Sequence, residues 1–134
     1  MDTNGNIKEI LIKDLCSRLP YGVKVSKVVE DWISDPRPIR SINLNNIIVE
    51  DGEFEDGTPD IDVWAYEDFK PYIFPLSSMT EEQRREQEAH FICIKHDMSF
   101  SICRYMEWCY KNHLDVNGLI PKGLAIDATG KNIY

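Results

Sequence analysis

The tightest constraint is a helix that is stopped and followed at once by strand. Ile7, Ile10, Leu11, Leu15 and Leu19 recur at three- and four-residue steps, with Lys8, Lys13, Asp14 and Arg18 between them, the pattern of an amphipathic helix. Pro20 ends it, because a proline ring clashes with the preceding helical turn. Gly22 permits a turn, and Val23, Val25, Val28 and Val29 carry β-branched residues into an extended segment. A chain that changes period this early needs both helix and sheet to close its core. At 134 residues it is long enough to bury roughly two-thirds of its unfolded surface in one core.

Further elements follow from local chemistry. Two apolar runs between Ile39 and Val49 flank Asn43-Leu44-Asn45-Asn46, and asparagine tolerates the left-handed conformations of tight loops, so a β-hairpin is expected. From Glu50 to Asp68 nine of nineteen residues are acidic, none is basic, and Gly52, Gly57 and Pro59 interrupt any regular pattern; an exposed, mobile acidic loop is expected over 50–68. Phe69 to Leu76 regains apolar character, and Pro71 and Pro75 suit an edge strand or an extended crossing. Thr80 with Gln83 three residues later reads as a capping box opening a helix to about His90. Phe91-Ile92-Cys93-Ile94 reads as a short buried strand or a helix extension. A second helix, from Asp97 or Ser99 to about His113, aligns Ile102, Met106 and Cys109 and is expected as the central packed helix.

These elements predict a single α+β domain over residues 1–134, a small antiparallel sheet of three to five strands packed by about three helices. The 43% apolar content and the absence of repeats or linkers exclude a disordered chain. A net charge of −8 disfavours nucleic acid as partner. The longest uncharged stretch, Pro71 to Thr80, contains two prolines, so no membrane span is expected. Met1 to Ile7 show no signal-peptide pattern. Cys16, Cys93, Cys103 and Cys109 fall in apolar patterns, read as reduced core thiols of a cytoplasmic protein.

Chemistry-bearing patterns are few. Cys93 and His96, then Cys109 and His113, copy the spacing of a small zinc finger with Cys and His exchanged; against zinc, Cys109 already fits an apolar stripe and a core of this size needs no metal. Pro59-Asp60 followed by Asp68-Phe69-Lys70 resembles the motif of metal-dependent nucleases, in which two carboxylates hold Mg²⁺ and a lysine stabilises developing charge on adjacent strands. The acidic run fails as a calcium loop, since Asp56 stands where glycine is needed. There is no serine elbow and no glycine-rich phosphate loop. No cofactor and no metal are assigned, and catalysis is not required.

Three longer segments carry a resemblance: Leu15-Cys16-Ser17-Arg18-Leu19-Pro20-Tyr21-Gly22-Val23, Lys70-Pro71-Tyr72-Ile73-Phe74-Pro75-Leu76-Ser77-Ser78-Met79-Thr80-Glu81-Glu82, and His113 to Ala125 with its Asp115-Val116-Asn117-Gly118 turn. Together they resemble a group of small uncharacterised proteins encoded by gut anaerobes and their phages. The sequence departs from that pattern at Phe74 and Asn117, where basic residues are usual. The resemblance implies a phage or prophage accessory protein that binds a host or phage protein. Polar and turn residues between apolar anchors commonly build a binding edge, so Tyr21, Pro71, Tyr72, Ser77, Ser78, Asp115, Asn117 and Gly118 are the candidate binding residues. A bland reading of the same segments makes Tyr21, Tyr72 and Leu119 core residues and the glycines and prolines turn-formers.

Overall fold

The computed structural model describes residues 3–96 and 98–134. Its elements run α1 (Thr3–Arg18), β1 (Lys24–Val29), β2 (Trp32–Ile33), β3 (Arg37–Ile42), β4 (Asn46–Glu53), β5 (Pro59–Ala65), β6 (Phe69–Ile73), α2 (Glu81–His96), α3 (Met98–Lys111) and β7 (Ile126–Asp127). The class is α+β with three helices, as expected. The sheet is larger: seven strands in the order β5-β4-β3-β1-β6-β7, with β2 turned back on β1. It is also mixed, because β7 joins β6 in parallel, with Tyr72 opposite Ile126.

The amphipathic stripe of α1 packs Leu11 and Leu15 onto the sheet face built by Val23, Val25, Ile39, Ile47, Val49, Trp64 and Ile73, all buried. Each such aliphatic side chain contributes about 1.5–3 kcal/mol on burial. The helix ends where expected: Leu19-Pro20-Tyr21 tighten into a 3₁₀ turn, and Gly22 closes it at φ 73, a left-handed geometry that glycine adopts without a Cβ penalty. Asp14 and Arg18, expected on the polar side of this helix, are instead buried against each other.

The segment 50–68, expected as a loop, is largely a hairpin arm. β4 continues to Glu53, β5 begins at Pro59, and six residue pairs connect them, with a register shift between Glu50 and Glu53. Ile61, Val63 and Trp64 supply the β-branched and aromatic character that a strand favours. At the tip, Asp56 accepts hydrogen bonds from the amide and hydroxyl of Thr58, and Gly57 takes φ 84. The charge misleads because the outer half of β4 lies in water: Ile47 and Val49 are buried, whereas 50–53 are exposed.

β6 is not an edge strand, since β1 lies on one side and β7 on the other. Its proline is tolerated because β7 pairs only with Tyr72 and Ile73, leaving one neighbour, β1, at Pro71. Phe91 to Ile94 form no strand; α2 runs through them to His96. The segment is not buried as expected, since Phe91, Ile92 and Cys93 are exposed; Phe91 meets Tyr105 of α3 at 5.2 Å and the neighbouring His90 meets Trp108 at 5.4 Å between ring centroids. The helix expected from Asp97 or Ser99 runs as α3 from Met98, and Asp97 lies outside the described residues. It is not the packed centre of the domain, for it buries Ser101 and Cys109 while α2 buries no residue. The thiols expected in the core are also redistributed: Cys109 alone is buried, whereas Cys16, Cys93 and Cys103 are exposed.

Candidate functional site

The eight residues singled out from the sequence fall into four places in the fold. Tyr21, beyond the end of α1, donates to Glu107 Oε1 at 3.0 Å, and that bond raises its pKa above the usual phenol value. Pro71 and Tyr72 are buried in β6, where the Tyr72 hydroxyl shares a 2.8 Å hydrogen bond with the buried Ser26 hydroxyl. Ser77 and Ser78 lie in the 3₁₀ turn Leu76–Ser78; Ser78 donates to Pro75 O at 2.7 Å and Ser77 is exposed.

Asp115, Asn117 and Gly118 share one turn. Both carboxylate oxygens of the buried Asp115 accept backbone N–H groups, from Leu119 at 2.7 Å and Ile120 at 2.9 Å. Asn117 Nδ2 donates to Asp14 Oδ2 at 2.8 Å and to the Tyr110 hydroxyl at 3.2 Å, and Gly118 takes φ 71. The turn is tied to the end of β6, since Asp115 N donates to Phe74 O. Asn117 also opens to a groove with Lys13, Asp14, Ser17, Tyr110 and Lys122.

The nuclease-like halves do not meet on adjacent strands. Asp60 lies on β5 at one edge of the sheet and Lys70 on β6, four strand positions away, a separation of about 19 Å at the usual strand spacing. The zinc-like residues divide similarly. Gln83 reaches Asn112 and Gln87 reaches Tyr105, so α2 and α3 run antiparallel. Cys93, ten residues beyond Gln83, is then about 15 Å along α2 from the level of Cys109 and His113. Among the described residues no group of three or more His, Cys, Asp or Glu side chains converges as a metal site.

The arm formed by β4 and β5 is where charge and exposed apolar surface coincide. Phe54, Ile61 and Val63 are exposed among the nine carboxylates of 50–68. On the same face of the sheet as α1, where Asp62 is paired with Val49 and Arg37 with Val25, a groove of about 350 Å³ is lined by Lys27, Trp32, Arg37, Asp51, Asp62 and Trp64, among others. Arg37 pairs with Asp51 at 3.0 Å. Asp62 accepts the Trp64 indole N–H at 2.8 Å and the Val63 amide at 2.9 Å, and these two donors hold its carboxyl below the ordinary range. The concentration of acid was visible in the sequence. The alternation that makes it a strand was obscured by Gly52, Gly57 and Pro59, which prove to serve the bulge, the tip and the strand start.

No family model matches the chain, and no curated protein or solved structure matches it. Among the described residues no helix is long and apolar enough to cross a membrane.

Proposed function

We propose that the chain is a phage- or prophage-type accessory binding module that acts in the cytoplasm on a host or phage protein, with the β4–β5 arm as its contact surface. The observation that carries this reading is the single-signed arm: seven carboxylates, no basic residue and three exposed apolar side chains on a hairpin that outgrows the core. Charge of one sign beside apolar contact area complements a basic protein surface and accelerates its encounter. The same charge repels phosphate backbones, which argues against nucleic acid as the partner. The accessory role rests on the resemblance of the three segments around Pro20, Pro71 and Gly118 to small phage-associated proteins.

The test is titration with poly-L-lysine, with poly-L-glutamate as control, at low and high salt, using the chain and a variant carrying Glu50→Lys, Glu53→Lys and Glu55→Lys. These side chains are exposed, so the variant should keep its melting temperature. Salt-weakened binding to poly-L-lysine that the variant loses supports the reading. Equal binding by chain and variant, or no dependence on salt, removes the arm from the role.

A further inference from the structure

β5 ends the sheet, and among the described residues only β4 pairs with it. An unpaired edge presents a row of N–H and C=O groups to any extended chain of fitting side chains. The two faces of β5 differ in kind. Ile61 and Val63 are 48% and 54% exposed on one side, and Asp60 and Asp62 alternate with them toward the other.

Asp62 also occupies the strand edge. Its Oδ1 accepts the amide of the next residue, Val63, at 2.9 Å. In an antiparallel ladder alternate residues direct their backbone groups outward, and this amide is answered by a side chain. The carboxylate therefore stands where the carbonyl of an added strand would arrive.

Resting on the binding role given above, we propose that β5 accepts a further strand from a basic, extended segment of the partner protein. Apolar residues of that segment lie on Ile61 and Val63, and its alternating lysine or arginine side chains meet Asp60 and Asp62. Its carbonyl takes over the Val63 amide, which frees Asp62 Oδ1 for an ammonium or guanidinium. A second copy of β5 is the wrong occupant, since Asp60 and Asp62 would then face the same charges, and like charges across strands destabilise the pair. Main-chain hydrogen bonds supply affinity in such strand addition, and alternate side chains supply choice of partner.

The test uses an eight-residue peptide of alternating lysine and valine, and a second peptide of the same sequence N-methylated at alternate residues. The second keeps every charge and loses the ladder donors. Binding to the chain is measured by fluorescence anisotropy, and amide exchange is followed at β5. Strand addition predicts roughly tenfold or greater weakening on methylation, with added protection at Ile61 and Val63 from the first peptide alone. Equal affinity for both peptides overturns strand addition and leaves the electrostatic role standing. Protection confined to other strands also overturns it. If neither peptide binds while poly-L-lysine does, strand addition again fails; if none of the three binds, the binding role fails with it.

Discussion

The guanidinium of Arg18 and the carboxylate of Asp14, one helical turn apart on α1, form an ion pair at 2.5 Å with side-chain exposures of 0% and 1%. Arg18 Nη2 also donates to Leu114 O at 2.8 Å, its guanidinium lies 5.1 Å from the Tyr110 ring centroid, and Asp14 accepts Asn117. One pair thus joins α1 to α3 and to the turn after it. Breaking a buried pair from one side strands a charge without solvent, at a cost of about 3–5 kcal/mol. Asp14→Ala is expected to lose that much in urea unfolding. The double variant Asp14→Leu with Arg18→Met should recover a large part of the loss, because it buries no charge. A single variant within about 1 kcal/mol of the parent would show that the pair contributes little.

His113 gives the fold an acid limit. Its ring stacks on Tyr134 at 3.6 Å and 11°, and its Nδ1 is buried without a hydrogen-bond partner. Burial first, and the charge of Arg18 second, hold its pKa down to about 4 from the ordinary 6.5. The folded state keeps the ring neutral while the unfolded chain takes up a proton. Stability is therefore present above pH 6.5 and is lost as pH falls from there toward 4. The expected loss is on the order of 1–3 kcal/mol. His113→Asn should flatten the pH dependence of the unfolding midpoint across that window, and asparagine suits the left-handed backbone at φ 58. An unchanged slope would assign the acid sensitivity to other groups.

The parts of the fold legible from sequence are those decided by neighbours in the chain. Pro20 and Gly22 end α1 through local geometry, and Asn43 and Asn46 turn the hairpin between β3 and β4. Residues decided by distant packing were not legible. Asp14 and Arg18 resemble any solvated pair at helical spacing, and only Leu114 and Asn117, about a hundred residues away, make their burial tolerable. Phe91 and Ile92 fit a strand or a helix extension alike, and the structure has the extension, because nothing local announces Tyr105 as the partner of Phe91. The contact surface was half visible: its charge lies in composition, whereas its edge position depends on sheet order, which no local pattern encodes.

The capping box at the start of α2 is reciprocal, with Thr80 N donating to Gln83 Oε1 at 2.9 Å and Gln83 N donating to Thr80 Oγ1 at 3.1 Å. No residue of α2 is buried, so this helix depends on its cap and on α3 rather than on the core. Thr80→Ala should cost about 1 kcal/mol. The loss should appear first as faster amide exchange in the opening turns of α2, while the exchange of β1 and β3 is little changed. Uniform acceleration across the molecule would mean that α2 unfolds only together with the sheet.

Asp62 and Val63 lead to a prediction about self-association. With Asp62 Oδ1 on the Val63 amide and its charge on the edge strand, the carboxylate opposes pairing of β5 with a second copy both by occupying a donor and by repulsion. Asp62→Ala removes both effects and leaves the Trp64 indole N–H without its acceptor, a loss of about 1–3 kcal/mol for a buried donor. Asp62→Asn removes the charge but retains an oxygen that can accept from the amide. Light scattering over a concentration series should therefore rank association as Asp62→Ala above Asp62→Asn above the parent chain, and added salt should raise the parent toward Asp62→Asn by screening the repulsion. If Asp62→Ala associates no more than the parent, the edge is kept single by the remaining carboxylates of the arm, and the role given to Asp62 is wrong.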